Sequence, residues 1–246
     1  MPTLHEKVAI ITGSSRGIGA ETALTLARAG ARVVINYLQN RQAADDVCLT
    51  ITQEGGKCIA VQADVSKSAD VRRLFATTIE HFGKIDILVN SAGILIFKQI
   101  AEFTDEEFDR ILDINLKSIF YTLREASQCL ADNGRIINIS STVTRLMLPK
   151  YGAYAASKGA VEQLSRILAR EVGDRGITVN TVSPGPVFTD MFRADKTEED
   201  FQRMAAMSSL GRIGEVDDIA QIVLFLASDA ARWVTGQDVG ANGGMI

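Results

Sequence analysis

The amino-acid sequence predicts an α/β fold, a single-domain doubly wound parallel sheet of about seven strands with helices on both faces. Short β-branched and aliphatic runs alternate with longer segments of helical periodicity along the 246 residues. Several of the short runs, such as VAIIT and IDILVN, are almost continuously apolar, which is typical of strands covered on both faces. A glycine-rich turn between the first strand and the first helix is the third indication.

The alternation assigns most of the chain to strands and helices. Each strand candidate is a short apolar run, and each helix candidate carries apolar residues at helical spacing. The predicted strands are 7–12, 32–36, 57–62, 86–90, 134–140, 177–183 and 237–240. The predicted helices are 17–29, 40–54, 67–82, 104–131, 151–173 and 215–228. Right-handed crossovers between successive strands then give one parallel sheet within a single domain spanning 1–246.

Only the segment at about 188–213 breaks this alternation. It mixes charged residues with large apolar side chains, namely Met191, Phe192, Phe201, Met204 and Met207. A long irregular segment of this kind is often a mobile lid beside a binding site. We therefore predict a substrate flap here, although ordinary helix packing explains the same side chains equally well.

Composition excludes several classes of protein. The net charge is −4 and no run of basic residues occurs, which argues against nucleic-acid binding. No run of eighteen apolar residues and no charged-then-apolar leader occurs, so we expect no membrane segment and a cytoplasmic location. The three cysteines lack metal-ligand spacing and are expected to be buried or half-buried free thiols. His5 and His81 are isolated, so no metal site is expected.

The turn after the first strand has the spacing G-x-x-x-G-x-G. In a strand–turn–helix unit, Gly13 permits the tight turn, Gly17 lets the backbone approach a pyrophosphate, and Gly19 allows close helix–strand packing. The positive end of the helix dipole then faces the phosphates. Glycines at a turn often serve only to permit the conformation of the turn. Their place after the first strand of a βαβ pattern makes dinucleotide binding the better interpretation.

A tyrosine and a lysine are placed four residues apart on a predicted helix. Tyr154 and Lys158 share one helix face, and Ser141 lies thirteen residues upstream of the tyrosine. A phenol has a pKa near ~10, and a nearby cation favours the phenolate and lowers that pKa. Such a phenol can exchange a proton with a substrate oxygen. Taken alone, this spacing more often marks two surface residues on a helix, and the accompanying motifs reverse that preference.

An ordered set of motifs resembles the short-chain dehydrogenase/reductase family along nearly all of the chain. The motifs are TGSSRGIG at 12–19, ADVS at 63–66, NSAG at 90–93, Asn115, a serine pair ending at Ser141, YAASK at 154–158, PGPVFTDM at 184–191, TGQ at 235–237 and a late glycine pair. The chain departs from the common pattern at Ser91, where the family usually has asparagine. The resemblance implies a Rossmann fold that transfers hydride between a nicotinamide and a carbonyl or alcohol.

The resemblance also assigns catalytic roles residue by residue. Tyr154 is expected to be the general acid or base, and Ser141 is expected to orient and polarise the substrate carbonyl. Lys158 is expected to bind the nicotinamide ribose as well as to tune Tyr154. Asn115 is expected to bend its helix and anchor a water that leads to Lys158, while the alternative is a solvent-facing asparagine in a helix where it is a poor helix former.

The cofactor contacts implied by the family surround these residues. Ser15, Arg16, Gly17 and Ile18 are expected to cradle the pyrophosphate. Asp64 and the Val65 amide are expected to contact the adenine, although a helix cap is the alternative for Asp64. The remaining expected contacts are Asn90, Ala92 and Gly93 on the adenosine-ribose side and Pro184, Gly185, Val187 and Thr189 at the carboxamide. All of these segments follow carboxyl ends of predicted strands, where open α/β sheets bind ligands.

NADP(H) is the expected cofactor in preference to NAD(H), and use of both stays open. A site selective for NAD(H) usually has an acidic residue about twenty residues beyond the glycines, where it binds the ribose 2′-hydroxyl. The second strand instead ends at Asn36 and Tyr37, and Tyr37 takes the place of that acid. Arg16 and Arg41 are available for a 2′-phosphate, whose geometry suits a guanidinium. The alternative for Arg16 is packing over the adenine or exposure to solvent.

The predicted activity is reduction of a free ketone or aldehyde by NADPH. The alternative is 3-oxoacyl-[acyl-carrier-protein] reduction, which needs a basic docking patch. The chain has no cation at 129–133 but keeps Arg175, so the patch is half present. Leu146, Met147, Leu148, Met191 and Phe192 suggest an apolar pocket, or else packing over the cofactor. A non-catalytic dinucleotide-binding redox sensor is a remote alternative.

A homotetramer is also expected. Relatives pair through the helices that here span 104–131 and 151–173, and through the C-terminal strand region. Both helices carry apolar residues on more than one face, which exceeds what contact with one sheet would cover. These residues are Phe108, Ile111, Leu112, Ile119, Phe120, Leu123, Leu164, Ile167 and Leu168.

Overall fold

A computed structural model describes residues 3–193 and 197–246 of the chain. Seven parallel strands form one sheet in the order β3-β2-β1-β4-β5-β6-β7. The strands are β1 Val8–Thr12, β2 Arg32–Tyr37, β3 Lys57–Gln62, β4 Ile87–Asn90, β5 Arg135–Ile139, β6 Thr178–Pro184 and β7 Asp238–Ala241. All seven predicted strands are confirmed with bounds that differ by one residue at most. The predicted doubly wound α/β fold is therefore confirmed.

Helices cover both faces of the sheet. They are α1 Gly17–Arg28, α2 Arg41–Gln53, α3 Ser68–Phe82, α4 Asp105–Leu112, α5 Ser118–Cys129, α6 Val143–Leu146, α7 Gly152–Glu171, α8 Asp190–Arg193, α9 Glu198–Ala206 and α10 Val216–Ala227. Two apolar clusters, one on each face, bury the sheet. The central strands β1, β4 and β5 are buried along their whole length, which explains their continuously apolar sequences.

The predicted helix 104–131 is interrupted. Asp113–Lys117 forms a π-helical turn between α4 and α5, and Asn115 lies in it with no exposed surface. Single π turns inside α-helices are frequent at functional sites. Three short helices, α6, α8 and α9, were not predicted because each has at most nine residues, too few for a clear periodicity.

The free-thiol prediction is wrong for two of the three cysteines. Cys48 on α2 and Cys58 on β3 form a disulfide with a Cα–Cα distance of 5.6 Å. The chain turns back after α2, so residues ten apart in sequence face each other across the helix–strand contact. Cys129 is a free, half-buried thiol, and burial raises its pKa.

The order of the strands places a switch point between β1 and β4, from which the chain winds in opposite directions. A crevice at the carboxyl ends of the strands is the usual ligand site in such sheets. No helix in the described part of the chain is long and apolar enough to cross a membrane.

Candidate active site

The glycine turn after β1 is closely packed. Gly13 has a φ of +62°, and a side-chain carbon there would lie 2.8 Å from the Cα of Ala92. A side-chain carbon at Gly19 would lie 2.6 Å from the Gly13 carbonyl oxygen. Both positions therefore exclude any residue larger than glycine, and Gly19 allows the close helix–strand packing that its position predicts.

The beginning of α1 offers a place for an anionic group. Arg16 precedes the helix in an extended conformation and provides no side-chain cap, and Gly17 has a φ of +58°. The first N–H groups of the helix, at Gly17, Ile18 and Gly19, have no acceptor within the described residues. A pyrophosphate fits these donors and the helix dipole. Thr189 lies 3.5 Å from a side-chain carbon built on Gly17, so the 184–189 segment borders the same space.

Asn36 supports this turn from behind. Its Oδ1 accepts a hydrogen bond from the Gly13 amide at 3.1 Å, and its Nδ2 donates to the Ala63 carbonyl at 3.1 Å. Asn36 is 2% exposed and Tyr37 is also buried. The Asn36 side chain therefore links the glycine turn to the end of β3, and no free polar atom of it points into the cleft. The contact of Asn36 with the cofactor stays a prediction, which would have to be made by its backbone.

Two arginines lie near the ends of these elements. Arg16 is exposed and makes no ion pair with the described residues, whereas Arg41 on α2 pairs with Asp45 at 3.3 Å. No carboxylate occupies the end of β2, where Tyr37 buries its ring in the core. Of these two cations, Arg16 therefore has fewer carboxylates that would compete with a bound phosphate.

Asp64 follows β3 and organises the next turn. Its Oδ1 accepts hydrogen bonds from the Ser66 hydroxyl at 2.6 Å and the Ser66 amide at 3.1 Å. Its own amide donates to Asp70 at 2.8 Å. Helix α3 begins at Ser68, so neither Asp64 nor Ser66 is its N-cap. Val65 is buried beside this turn.

Asn90 belongs to a buried chain of polar side chains. Its Nδ2 donates to Asn138 on β5 and its Oδ1 accepts from Thr122 on α5, both at 2.8 Å. Asn138 in turn donates to Ser165 on α7 at 2.8 Å. The Asn90 side chain therefore links α5, and through Asn138 also α7, to the sheet, and the contact of Asn90 with the adenosine-ribose side stays a prediction.

The backbone after Asn90 does reach the cleft. The amides of Ser91 and Ala92 donate to the Thr12 hydroxyl at 3.1 Å and 3.2 Å. A side-chain carbon at Gly93 would lie 3.3 Å from Asn115 Oδ1 and 3.5 Å from Lys158 Nζ. Because Gly93 has no side chain, the loop that follows Asn90 can pass close to Asn115 and Lys158.

The π-helical turn places Asn115 at the centre of the site. Its Oδ1 accepts from the Ile94 amide at 2.8 Å, and its Nδ2 donates to the Ile94 carbonyl at 2.9 Å. The same nitrogen donates to the Ser157 hydroxyl at 3.3 Å, and Ser157 donates to the Tyr154 carbonyl at 2.7 Å. The buried position of Asn115 rules out the solvent-facing alternative.

Helix α7 holds Tyr154 and Lys158 as predicted, yet the predicted fall in the pKa of Tyr154 is wrong. Burial raises the pKa of the Tyr154 phenol to about 12, and a hydrogen bond with Ser141 partly opposes that shift. Burial lowers the pKa of Lys158 to about 8. Lys158 Nζ donates to the Ile139 carbonyl at 2.7 Å and lies 5.7 Å from the centre of the Tyr154 ring. The cost of burying the charged form therefore dominates the pKa of both groups.

Ser141 and Tyr154 open into a cavity of about 170 Å³, which we call the front cavity. Pro184, Gly185, Val187 and Thr189 form part of its wall, and Ile18 reaches it from α1. The other lining side chains are apolar or hydroxylic, and none of the described ones is charged. These side chains include Leu95, Leu146, Leu148, Tyr151, Met191, Phe192, Met204, Met207 and Met245.

One residue expected at the cavity, Met147, is elsewhere, and Phe201 of the flap does not line the cavity either. Met147 is 82% exposed with a φ of +51°, so its side chain points to solvent. Phe201 packs against Phe188 and Phe192, with ring centres 5.8 Å and 5.7 Å apart. Within the described residues, the flap thus supplies methionines and one phenylalanine to the cavity.

Two contributors were missed by sequence reasoning. Ser157 joins Asn115 to Tyr154, and its only signal was a small polar residue inside the YAASK motif. Met245 lies beyond the last strand and reaches the front cavity from there. No local pattern marks Met245, because the contact depends on how the chain end folds back over the sheet.

Comparisons with known proteins agree with this geometry. A family model described as "Enoyl-(Acyl carrier protein) reductase" matches residues 13–246. An oxidoreductase from Methylorubrum extorquens is 45% identical over the full length of both chains. Versicolorin reductase 1 from Aspergillus parasiticus is 42% identical and covers 98% of this chain and 97% of its own.

Solved structures superpose closely on the whole chain. The angucycline C-6 ketoreductase LanV with bound NADP has a TM-score of 0.93 and 38% identity, covering 99% of this chain and 97% of its own. A blue fluorescent protein from a metagenomic library, in complex with NADPH, has a TM-score of 0.94 and 39% identity, covering 99% of both chains. On its fold, its motifs and these relatives, the chain belongs to the short-chain dehydrogenase/reductase family.

Proposed function

We propose that the protein reduces a ketone or aldehyde with NADPH and that Tyr154 is the general acid. The observation that carries the proposal is that Ser141 and Tyr154 line the same apolar cavity, bordered by the 184–189 segment, with Lys158 one turn further along α7. Bound NADPH supplies the hydride. The glycine turn and the first turn of α1 hold its phosphates, and the 184–189 segment holds its nicotinamide.

The proton comes from the protein. The Ser141 hydroxyl donates to the substrate carbonyl oxygen and polarises it. Tyr154 gives its phenolic proton to the same oxygen, which leaves a phenolate on the enzyme. Because the pKa of Tyr154 is about 12, the phenol is protonated at neutral pH and available as an acid. The cationic Lys158 next to it stabilises the phenolate that forms.

NADPH is the proposed cofactor in preference to NADH. Two structural relatives hold NADP or NADPH. In this chain, Tyr37 replaces the acid that would bind a 2′-hydroxyl, and Arg16 is exposed beside the glycine turn. A guanidinium pairs well with a phosphate but gains little from a hydroxyl. Comparing kcat/KM for NADPH and NADH tests this preference, and a higher value for NADH would contradict it.

The substrate is proposed to be a free, neutral carbonyl compound. The described walls of the front cavity carry no charge, and the Ser141–Tyr154 pair supplies the polar contacts of a carbonyl. Two relatives are named versicolorin reductase and angucycline C-6 ketoreductase, and the second name states the reduction of a ketone. Aryl and alkyl ketones and 3-oxoesters are therefore the first substrates to assay.

A carrier-bound substrate is the second candidate, since the description of the matching family model names an acyl carrier protein. Arg175 is the cation that a carrier protein would need, but it is already engaged. Its Nε donates to Asp132 at 2.9 Å, and its Nη1 donates to the Ser127 carbonyl at 2.8 Å. Arg175 also caps the end of α5 through the Leu130 carbonyl. These contacts favour the free substrate.

One assay separates the three functions. NADPH oxidation is followed with a panel of ketones, 3-oxoesters and acetoacetyl-carrier protein. Turnover of the small carbonyls supports the proposal. A preference for the carrier-bound substrate by more than about tenfold would assign the protein to the second candidate. Tight NADPH binding without turnover of any compound would instead indicate a redox sensor.

A further inference from the structure

A second cavity adjoins the front cavity. It has a volume of about 220 Å³, and we call it the rear cavity. Its apolar wall includes Leu210, Ile219 and Ile222. Residues Asn242, Gly243 and Met245, which follow β7, also line it. Pro186 and Met245 line both cavities, so the two spaces adjoin at these residues.

Met245 is the movable part of this boundary. The chain end that carries it is held in place, because the Ser208 and Ser209 hydroxyls donate to the carbonyls of Gly243 and Gly244 at 3.0 Å. The Met245 amide also donates to Asn242 Oδ1 at 3.3 Å. The backbone is therefore fixed while the side chain is an unbranched thioether with three rotatable bonds, which adapts readily to a ligand.

Size argues that a substrate needs both cavities. Pockets that enclose a ligand of moderate size usually measure roughly 300 to 1,000 Å³. The front cavity, at about 170 Å³, is smaller than that, and its Pro184–Thr189 wall is the proposed place of the nicotinamide. The two cavities joined past Met245 reach this range.

The charges in the rear cavity indicate a neutral occupant. Arg212 and Asp218 line it, but they form a two-fold ion pair with distances of 2.6 Å and 2.8 Å. Each charge thus has its partner, and a charged ligand group would have to break that pair. The remaining wall is apolar apart from backbone and small hydroxyl or amide groups.

We propose that Met245 is a specificity-determining residue that admits the neutral alkyl arm of a carbonyl substrate from the front cavity into the rear cavity. This inference rests on the proposed reductase function and adds the substrate's shape, which is a ketone with an apolar arm that extends beyond the front cavity. The carbonyl group stays at Ser141 and Tyr154, and the arm passes the thioether.

The test uses two 3-oxoesters that differ only in the arm, ethyl 3-oxobutanoate and ethyl 3-oxodecanoate. Wild-type enzyme should show the higher kcat/KM with the longer ester. Met245→Trp should lower kcat/KM for the longer ester by more than about tenfold, the loss expected when two or more methylenes leave an apolar site. The shorter ester should change by less than about threefold. Leu210→Trp, at an exposed residue of the rear wall, should show the same selective loss.

Ile246→Trp is the matched control, because Ile246 is half exposed and lines neither cavity. It should leave both esters unchanged. Three outcomes would overturn the inference. Met245→Trp could lower kcat/KM equally for both esters, or it could leave kcat/KM for the longer ester unchanged. Ile246→Trp could also cause the same losses as Met245→Trp. If no ester is reduced, the proposed function fails, and calorimetric binding of ethyl 3-oxodecanoate then decides the inference. A Kd that Met245→Trp leaves unchanged would refute it.

Discussion

Lys158 and Tyr154 are buried neighbours whose proton affinities move in opposite directions. The pKa of Lys158 falls to about 8 and that of Tyr154 rises to about 12, in both cases chiefly because burial disfavours the charged form. At neutral pH the lysine is therefore cationic and the tyrosine is a neutral phenol. This is the protonation state that carbonyl reduction requires, since the acid must hold its proton until hydride arrives.

The first prediction concerns pH. Above a pH of about 8 Lys158 loses its charge, so the phenolate formed on Tyr154 loses its stabilising cation. We expect kcat/KM for ketone reduction to be level below pH 7 and to fall about tenfold per pH unit well above 8, as for one ionisation. In Lys158→Arg, which stays charged, the fall should disappear, although activity will be lower. A wild-type profile that is level up to pH 10 would contradict this role of Lys158.

The second prediction concerns Arg16 and the cofactor. A charge-assisted hydrogen bond to a phosphate contributes about 1.5 to 3 kcal/mol, which corresponds to roughly 10- to 100-fold in affinity. Arg16→Ser should therefore raise KM for NADPH at least about tenfold and leave KM for NADH nearly unchanged. Arg41→Ala, whose arginine is already paired with Asp45, should have the smaller effect. Equal losses with both cofactors would show that Arg16 does not contact a 2′-phosphate.

Among the elements, the buried strands and long helices were predictable from sequence. Val8–Thr12 is almost continuously apolar because the core covers both of its faces, whereas Val216–Ala227 carries its buried residues at helical spacing on the face that meets the core. The resemblance predicted a bend of the helix at Asn115 but not its π-helical form, because the contacts of Asn115 with Ile94 and Ser157 are distant in sequence. Helix α6, with four residues, is too short to show a period.

The candidate site was predictable in identity but not in detail. The motifs named Ser141, Tyr154 and Lys158 because fixed spacing on α7 and the end of β5 bring them together. The pKa of Tyr154 was misjudged, since a pairwise view of its neighbours leaves out the cost of burial. The motifs did not indicate that the side chains of Asn36 and Asn90 brace the fold through buried hydrogen bonds. Side-chain direction at a strand end depends on tertiary packing.

The third prediction concerns the link between α2 and β3. The Cys48–Cys58 disulfide closes a loop with a sequence separation of 10. Closing a loop of this size stabilises a fold by roughly 2 to 3 kcal/mol in the chain-entropy description. The double variant Cys48→Ser/Cys58→Ser should thus lower the Tm by about 5 to 10 °C, and a reductant should lower the wild-type Tm similarly. Cys129→Ser is the control and should change the Tm little. A double variant with the wild-type Tm would contradict this contribution.

For the whole molecule, the surface leaves apolar faces uncovered on α4, α5 and α7. Phe108 is 43% exposed, Phe120 is 47% exposed and Ile167 is 57% exposed, while the opposite faces of the same helices are buried. Trp233, just before β7, is 97% exposed. Exposed aromatic and aliphatic residues grouped on packed helices are typical of protein–protein interfaces.

The fourth prediction is therefore a homotetramer. Two different two-fold interfaces, one at the helices and one near the C-terminal strand, close such an assembly. Light scattering at micromolar concentration should give four times the chain mass of 26.6 kDa. Phe120→Glu should reduce the mass to that of a smaller species, because a charge would replace a buried ring. Glu125→Gln on the same helix is the control for the variant. A wild-type mass near one chain would contradict the assembly.

Tyr154 as the general acid is the central claim, and one comparison tests it most directly. NADPH oxidation with a ketone substrate is measured for wild type, Tyr154→Phe and Tyr151→Phe, together with the Kd for NADPH. Removing the phenolic proton donor should lower kcat by more than about a thousandfold while the Kd changes less than about threefold. Tyr151→Phe, which removes a neighbouring hydroxyl in the same cavity, should keep more than about a third of the activity. Activity of Tyr154→Phe within about tenfold of wild type would contradict the claim.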